Sequence, residues 1–406
     1  MGALNQSIPI RDAFSSSNCP DALVLGSGAA GLTAALHLLD RNLTVTLVEK
    51  EPKMGGNSAK ASSGISGVAR ASEADSPVSF LEDTRRSARR EEGGLASVLA
   101  TFSEGALEWL RQRVGVDLSK AQLDILSSLP FSERAASSLL ASHRPDLLSL
   151  ATTNGPWATG DGVKLATSVG AAVVDMEQVQ VHPTGFLDPA EPDASTKFLC
   201  GELMRGVGGL LLTPDGGRFV DELSPRDKVV EAQTATGRAD FVLLLSAKMA
   251  EEAKEHLSFY LFKGLLVEAQ GLAEVAAWMV EGRQDASEAA MESTLLATVE
   301  AYNLAADEGG DPFGKTVFPN APVNLNGSFF VGRVCPVLHY CMGGLRIDED
   351  GCVLRADGSR VEGLYAAGEV TGGIHGANRL GGNSLLDCVV FGSLVGDNLA
   401  RRAKPL

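Results

Sequence analysis

The feature that most constrains the fold of this chain is a glycine-rich loop near its N-terminus, between two predicted strands. An apolar run, Ala22–Leu25, leads into G-S-G-A-A-G at residues 26–31, and a helical pattern follows through Leu39. A second apolar run at residues 44–48 ends at Glu49. The order strand, G-x-G-x-x-G, helix, strand, acid is the signature of a dinucleotide-binding unit. It predicts a Rossmann-like α/β domain.

Each part of this unit has a physical role. The first glycine permits the tight turn, the second lets a pyrophosphate approach the backbone, and the third lets helix and strand pack closely. The helix N-terminus attracts the phosphates, and the acid accepts a hydrogen bond from a ribose hydroxyl. The candidate cofactor-binding residues of this unit are Gly26, Gly28, Ala29, Ala30, Gly31, Glu49 and Lys50.

Three further small-residue patches favour FAD over NAD as the dinucleotide. They lie at residues 54–64, 159–162 and 363–386, and small residues suit a flat ring lying against the backbone. Backbone N–H groups at the last patch could stabilise negative charge on a reduced flavin. The candidate cofactor-binding residues in these patches are Gly56, Asn57, Ser58, Ser63, Gly64, Asp161, Glu369, Asn383, Ser384 and Leu385.

Composition excludes several other classes of protein. A length of 406 residues favours two domains. The net charge of −16 argues against a nucleic-acid-binding or anionic-membrane surface. The six cysteines form no C-x-x-C pair, so we expect neither a zinc site nor a disulfide framework. No apolar run is long enough to span a bilayer. We therefore expect no metal and an intracellular location, cytoplasmic or mitochondrial.

Several phrases, in order along the chain, resemble the soluble FAD-dependent fumarate reductases of the yeast and trypanosomatid type. This group lies within the flavoprotein family of fumarate reductases and succinate dehydrogenases. The phrases are G-G-N-S-A-K-A at 55–61, H-P-T-G at 182–185, R-D at 226–227, H-Y-C-M-G-G at 339–344 and H-G-A-N-R-L-G-G at 375–382.

The resemblance implies reduction of fumarate to succinate by hydride transfer from flavin N5. It implies that His182, His339 and Arg379 bind the substrate carboxylates, with Gly382 beside them. It further implies that Arg226 is the proton donor. Reduction adds a hydride to one carbon and a proton to the other, so cationic groups must hold the dianion. An arginine holds its proton tightly, so it needs a relay that returns the proton at once. The residues matching that relay are Glu202 and Arg205.

The resemblance also bears on cofactor attachment and partners. Membrane-bound relatives attach FAD to a histidine near residues 58–61, but no histidine, cysteine or tyrosine occurs between His37 and His143. We therefore expect non-covalent FAD. No second G-x-G-x-x-G and no redox cysteine pair is present, so the electron donor should be a reduced flavin or another redox protein. Gly201 stands where some relatives carry threonine, which affects substrate affinity more than reaction type.

The predicted layout has an FAD-binding domain at residues 21–181 and 340–406 and an inserted α+β capping domain at residues 182–339. Within the capping domain we expect helices at Phe241–Lys263 and Ala286–Ala306. A disordered tail is expected at residues 1–20. The FAD-binding domain is predicted to be shortened near residues 116–131, where the family carries additional strands and a Gly-Gly segment.

Alternatives remain open at this point. Glu202 and Arg205 are spaced i, i+3 and could form an exposed helix pair. Arg226 and Asp227 follow Pro225 and could lie in a solvated loop. The chain could also be a related dehydrogenase acting on succinate, aspartate or a ketosteroid. The alternative outside the enzymes is a catalytically impaired isoform that serves only as a binding protein.

Overall fold

The computed structural model describes residues 19–60, 64–68, 75–91, 93–116, 137–284 and 286–403. The chain forms two compact units. The first contains residues 1–144, 155–179 and 340–406, and the second contains residues 145–154 and 180–339. The predicted tail, Ser63 and nearly all of the interval 116–131 lie outside the described residues.

The first unit begins with the predicted strand–loop–helix–strand motif. Strands β1 (Ala22–Leu25) and β2 (Val45–Val48) pair in parallel around helix α1 (Ala29–Asp40). Strands of a parallel sheet are ordinarily covered on both faces. Here the described part of the chain supplies only these two strands to that sheet, and Leu23 and Leu25 are 45% and 59% exposed.

The C-terminal helix α12 (Asn383–Ala403) packs along α1. Two of its glycines allow this approach. An added Cβ on Gly392 would lie 2.8 Å from the carbonyl oxygen of Ala30, and one on Gly396 would lie 2.6 Å from the Cβ of His37. The glycines at these positions are therefore required by helix packing rather than by a turn.

The remaining elements of the first unit surround these two helices. Its other helices are α2 (Pro77–Ala88), α3 (Gly94–Trp109), α4 (Ser137–His143) and α5 (Asp161–Ser168). Two antiparallel strand pairs complete it: β3 (Val173–Val174) with β9 (Gly344–Leu345), and β10 (Cys352–Leu354) with β11 (Arg360–Tyr365).

The second unit is built on a five-stranded sheet. The order is β4 (Val179–Phe186), β8 (Ser328–Cys341), β6 (Phe241–Ser246) and β5 (Leu210–Leu212), and β7 (Val267–Gln270) also pairs with β8. The β5–β6, β6–β8 and β7–β8 pairs are antiparallel.

Helices cover this sheet, and their bounds correct one sequence prediction. They are α6 (Glu202–Gly206), α7 (Arg226–Ala235), α8 (Ala247–Glu252), α9 (Lys254–Phe262), α10 (Gly271–Val280) and α11 (Glu288–Glu308). The predicted helix at Ala286–Ala306 agrees with α11 to within two residues.

The predicted helix over Phe241–Lys263 was wrong for its first six residues, which form the central strand β6. All six are buried and lie between β5 and β8. A short continuous apolar run has no period that separates a buried strand from a buried helix. Pairing with two neighbouring strands decided the outcome.

Residues 145–154 group with the second unit, although the predicted layout put them in the FAD-binding domain. Backbone contacts account for the difference. The N–H of Thr153 donates to the carbonyl of Leu338 at 3.0 Å, and the N–H of Thr152 donates to Ser195 at 2.9 Å. This short segment therefore lies beside β8, next to the predicted substrate residue His339.

Candidate active site

The glycine-rich loop of the first unit has the geometry that the motif predicts. Gly26 has φ +95°, a left-handed conformation, and its N–H donates to Val48 at 2.8 Å. An added Cβ on Gly31 would lie 2.1 Å from the carbonyl oxygen of Gly26. Helix α1 begins at Ala29 after Gly28, which has no side chain to cap it, and the helix N-terminus carries a partial positive charge that attracts an anionic ligand.

Glu49 ends β2 and closes this loop. Its carboxylate accepts from the N–H of Ser27 at 2.9 Å and from the Ser27 hydroxyl at 2.5 Å. Burial raises the pKa of Glu49, but the hydrogen bonds from Ser27 and from the Glu51 N–H outweigh it and lower the pKa overall. Glu49 is therefore ionised at neutral pH, as an acceptor for a hydroxyl must be.

Lys50 joins two of the glycine-rich patches. Its Nζ donates to Thr159 Oγ1 at 2.5 Å and to Asp161 Oδ2 at 2.6 Å. The hydrogen bond from Lys50 lowers the pKa of Asp161. Because about half of each side chain is exposed, this pair contributes at most about 1 kcal/mol.

Buried polar atoms without a partner show that the first unit is built to hold a polar ligand. Among the described residues, Asn57 Nδ2, Glu369 Oε2 and Asn383 Oδ1 are buried and have no hydrogen-bond partner. The other polar atom of each side chain is engaged, by Gly155, Cys341 and Thr84 respectively. An unsatisfied buried polar atom costs about 1–3 kcal/mol. A ligand with several hydroxyl and amide groups, such as FAD, would satisfy them.

The other predicted cofactor-binding residues surround these atoms. Ser58 Oγ accepts from the Ala29 N–H at 3.1 Å, and Gly56 begins the short 3-10 helix Gly56–Lys60. Ser384 and Leu385 lie in the first turn of α12, and Gly64 lies in the segment 64–68.

In the second unit, the structure brings together Arg226 and Glu202, the predicted proton donor and its relay partner. Arg226 is the first residue of α7, Glu202 is the first residue of α6, and the guanidinium contacts Glu202 Oε1 through Nε and Nη2. Only 8% of the Arg226 side chain is exposed, against 31% for Glu202. Burial raises the pKa of Glu202, but the charge of Arg226 lowers it well below its ordinary value. The solvated-loop alternative for Arg226 is therefore wrong.

His182 is the third member of this cluster. It is fully buried on β4, and burial lowers its pKa to about 4. Its Nδ1 accepts from the N–H of Thr184 at 3.2 Å, so the proton of the neutral ring lies on Nε2. Nε2 is 3.4 Å from Glu202 Oε1. His182 is therefore a neutral hydrogen-bond donor at neutral pH.

His339 lies next to His182, with ring centroids 5.1 Å apart. Its Nδ1 is 3.0 Å from the hydroxyl of Thr153, and the ring is buried. The two histidines thus share one feature, because each Nδ1 lies within hydrogen-bonding distance of a threonine hydroxyl.

Arg205 is buried, but it does not form the predicted contact with Glu202. Its Nη1 donates to the carbonyl of Glu222 at 2.5 Å and lies 3.5 Å from that of Ser224. No ion pair joins Arg205 to Glu202 in the part of the chain that the structure describes. The exposed-pair alternative is therefore wrong, and the immediate role of Arg205 is to hold the loop that leads into Arg226.

Arg379 and Gly382 belong to the first unit. The Arg379 guanidinium lies over the ring of Tyr340, 4.4 Å from its centroid, and its Nη1 donates to Leu380 at 3.1 Å. Gly382 has φ +74°, and an added Cβ would lie 2.3 Å from Ser66 Oγ. The backbone at Gly382 therefore admits no side chain.

Sequence reasoning missed the residues that orient the two histidines. Thr184 follows His182 by two positions on β4, so the strand period places both on one face and could have identified it. Thr153 is 186 positions from His339, and only the tertiary structure brings the two together.

The burial of His182 predicts a pH dependence of stability. Between pH 6.5 and about 4 the unfolded chain binds a proton that the folded chain excludes, so stability is fully present above pH 6.5 and lost toward pH 4. The contribution lost between pH 7 and pH 5 is about 2 kcal/mol. In His182→Gln, the difference between the free energies of urea unfolding at these pH values should shrink by that amount.

The exposed His143 offers a matched control, since His143→Gln should keep the wild-type difference. An unchanged difference in His182→Gln would show that the pKa of His182 is the same in the folded and unfolded protein, which would contradict the effect of burial. Glu202 does not contribute to the difference between pH 7 and pH 5, because its pKa lies below this pH range.

In residues 19–403, apart from the undescribed gaps, no group of three or more His, Cys, Asp or Glu could hold a metal ion. Over the same residues, no helix is long and apolar enough to cross a membrane.

Comparisons with known proteins identify the family of the chain. A family described as an FAD binding domain matches residues 21–131 and 125–385. The fumarate reductase of Schizosaccharomyces pombe is 35% identical, with 95% of this chain and 90% of the relative covered. Fumarate reductase 1 of Saccharomyces cerevisiae is 34% identical, with 94% and 99% covered.

Solved structures give the same result. A flavocytochrome c3 fumarate reductase in an open conformation superposes with a TM-score of 0.71 at 26% identity, covering 95% of this chain and 78% of the other. A 3-ketosteroid delta1-dehydrogenase from Sterolibacterium denitrificans, at 16% identity and a TM-score of 0.63, shares the fold. The predicted α/β FAD-binding fold and the FAD cofactor are confirmed. The chain belongs to the fumarate reductases, FAD-dependent oxidoreductases of the FAD-binding flavoprotein family that act on CH–CH bonds.

Proposed function

We propose that this chain reduces fumarate to succinate and that Arg226 donates the proton. The observation that carries the proposal is the buried cluster of Arg226, Glu202 and His182, which combines a cation, a carboxylate and a neutral N–H donor. The choice of fumarate as substrate rests on the relatives, since the S. pombe and S. cerevisiae proteins are fumarate reductases.

Reduced FAD, when bound, would supply a hydride from N5 to one alkene carbon. His182 would donate from Nε2 to a carboxylate oxygen and His339 would hydrogen-bond a carboxylate beside it, which holds the alkene in place and withdraws charge from it. Arg226 would deliver a proton to the other carbon. Glu202 contacts Arg226 directly and has room to exchange with solvent, since about a third of its side chain is exposed. We propose that Glu202 takes up a proton from solvent and returns it to Arg226.

Arg205 would enter the relay only by a shift toward Glu202. Burial lowers the pKa of Arg205, which makes its proton easier to release than that of an exposed arginine. In the described conformation, however, its donors are directed at the loop carbonyls of Glu222 and Ser224. We propose that Arg205 first positions Arg226 and that its part in proton transfer is indirect. Arg379 as a carboxylate ligand remains a prediction.

We further propose that FAD is held without a covalent bond and is reduced by a free reduced flavin or another redox protein. The residues that would hold it are Gly26, Gly28, Ala29, Ala30, Gly31, Glu49, Lys50, Gly56, Asn57, Ser58, Gly64, Asp161, Glu369, Asn383, Ser384 and Leu385. Ser63, also predicted, lies outside the described residues.

Two glycines of this site should respond differently to alanine. In Gly31→Ala the new Cβ meets the backbone oxygen of Gly26 at 2.1 Å, so we expect about 1–3 kcal/mol of destabilisation and loss of FAD loading. In Gly28→Ala its nearest neighbour is Ser58 Oγ at 3.6 Å, and the Gly28 φ of −66° suits alanine. The apoprotein should keep its melting temperature, while its FAD dissociation constant, measured by fluorescence, rises about tenfold or more. Equal FAD affinity in wild type and Gly28→Ala would place the pyrophosphate elsewhere.

The predicted shortening of the FAD-binding domain is the basis of a competing hypothesis, a catalytically impaired isoform that serves only as a binding protein. The alignment with the S. pombe relative extends over 480 residues, more than the 406 of this chain. The two segments that match the FAD binding domain overlap at residues 125–131. Leu23 and Leu25 are exposed on β1. We propose that this interval lacks part of the sheet that relatives carry.

The test starts from purified protein loaded with FAD and reduced without oxygen. Addition of fumarate should reoxidise the flavin rapidly, whereas crotonate, with one carboxylate, should do so far more slowly. Flavin that stays reduced with fumarate would contradict the proposal, and oxidation of succinate or aspartate would favour the related dehydrogenases. A protein that cannot be loaded with FAD would support the isoform that only binds partners.

A further inference from the structure

We propose that Tyr340 and Asp387 are positioning residues that hold the guanidinium of Arg379 in the orientation that binds a substrate carboxylate. This rests on the proposed function, which gives Arg379 a carboxylate to bind. All the contacts involved lie within the first unit, and none of the steps proposed above uses Tyr340, Asp387 or His375.

The backbone that carries Arg379 is held against the end of helix α2. The N–H of Ala377 donates to the carbonyl of Ala88 at 2.9 Å, and the Ser87 hydroxyl donates to the carbonyl of Asn378 at 3.0 Å. Gly376 has φ +54°, and an added Cβ would lie 2.4 Å from the Ala88 oxygen. The main chain on the N-terminal side of Arg379 is therefore fixed.

The side chain of Arg379 packs over an aromatic ring. Its guanidinium carbon is 4.4 Å from the Tyr340 centroid, and both residues are buried. A guanidinium carries its N–H groups at the edge of its plane, where a carboxylate binds with two parallel hydrogen bonds. The orientation of the Tyr340 ring thus sets the direction in which Arg379 presents its donors.

The ring itself is held by a buried carboxylate. The Tyr340 hydroxyl donates to Asp387 Oδ2 at 2.9 Å, and His375 Nε2 is hydrogen-bonded to the same oxygen at 2.7 Å. Asp387 is fully buried in the second turn of α12. A long helix thereby anchors Tyr340 from one side and the loop of His375 and Arg379 from the other.

Asp387 therefore acts on Arg379 through the Tyr340 ring, because its carboxylate accepts from the Tyr340 hydroxyl and the guanidinium lies over that ring. Burial also lowers the pKa of His375, so this ring stays neutral and adds no further positive charge.

The test is a double-mutant cycle on Tyr340→Phe and Arg379→Lys. Phenylalanine keeps the ring and loses only the bond to Asp387. In the wild-type background, Tyr340→Phe should raise KM for fumarate and the calorimetric dissociation constant of succinate about tenfold, with kcat changed less than about twofold. In the Arg379→Lys background, the same substitution should change either constant less than about twofold, because lysine has no plane to orient.

Equal losses in both backgrounds would show that Tyr340 acts on stability and not through Arg379, and would overturn the proposal. If Tyr340→Phe fails to fold, Asp387→Asn replaces it in the cycle, because asparagine keeps the size and one acceptor oxygen. Succinate binding distinguishes a failure of the proposed function from a failure of the positioning proposal. A wild-type protein that binds succinate without reducing fumarate refutes the proposed function alone, whereas the cycle on succinate still decides the positioning. A wild-type protein that binds no succinate overturns both.

Discussion

Replacing Arg226 by alanine is expected to lower kcat for fumarate reduction by about 10²–10⁴-fold, the usual contribution of a positioned general acid. The loss should be in turnover, because the cofactor-binding residues lie in the first unit and Arg226 lies in the second. Arg226→Lys keeps a cation of different shape and should recover only part of the rate, because a lysine cannot reproduce the fork of the guanidinium. The measurement is the rate at which fumarate reoxidises FAD-loaded, reduced protein.

The matched control for Arg226 is Arg238, which pairs with Asp215 on the surface. Arg238→Ala removes an arginine from the same unit and should leave kcat unchanged, since both side chains of that pair are more than half exposed. FAD content should equal that of the wild type in both variants. A reduction in kcat of less than tenfold in Arg226→Ala would mean that the proton comes from another group.

Replacing Lys315 by methionine is expected to destabilise the second unit by about 3–5 kcal/mol, because it leaves buried carboxylates uncompensated. Lys315 Nζ is 3.1 Å from Glu222 Oε2, and both side chains are almost completely buried. Arg218 pairs with Glu222 at 2.7 Å and with Asp311 at 2.8 Å, so one cation would remain against two buried anions. Urea unfolding of the variant and the wild type measures the difference.

The exposed Lys254–Glu251 pair provides the comparison for Lys315. Lys254→Met should change the free energy of unfolding by less than about 1 kcal/mol, because both of these side chains are largely exposed. A similarly small change in Lys315→Met would show that water or an ion compensates the buried carboxylates. The cluster also bears on catalysis, since the carbonyl of Glu222 accepts from Arg205. A variant that folds should therefore show reduced turnover.

The FAD-binding part of the fold could be predicted from sequence because its signals are local. Gly26, Gly28 and Gly31 lie within six residues, and glycine is required at Gly26 by its left-handed φ and at Gly31 by a close backbone approach. Glu49 likewise follows directly after the second strand. The predicted family, fold and cofactor are confirmed for this reason.

In the second unit, local sequence patterns did not determine the secondary structure or the side-chain contacts. The apolar run Phe241–Ser246 reads equally well as helix or strand, and pairing with β5 and β8 decided it. Arg205 and Glu202 have helix spacing, yet Arg205 turns to the carbonyl of Glu222. The resemblance supplied the names of these residues, but not their contacts.

The sequence by itself determined the family and the cofactor, because both depend on residue types at short, fixed spacings, and the resemblance to the family supplied the candidates for substrate binding and proton transfer. Only the tertiary structure decided the charge and the contacts of those residues. His182 is neutral because it is buried, Glu202 is ionised because Arg226 contacts it, and Arg379 lies over the ring of Tyr340. Burial and distance between residues far apart in the chain set charge and orientation, and neither quantity is encoded in a local pattern.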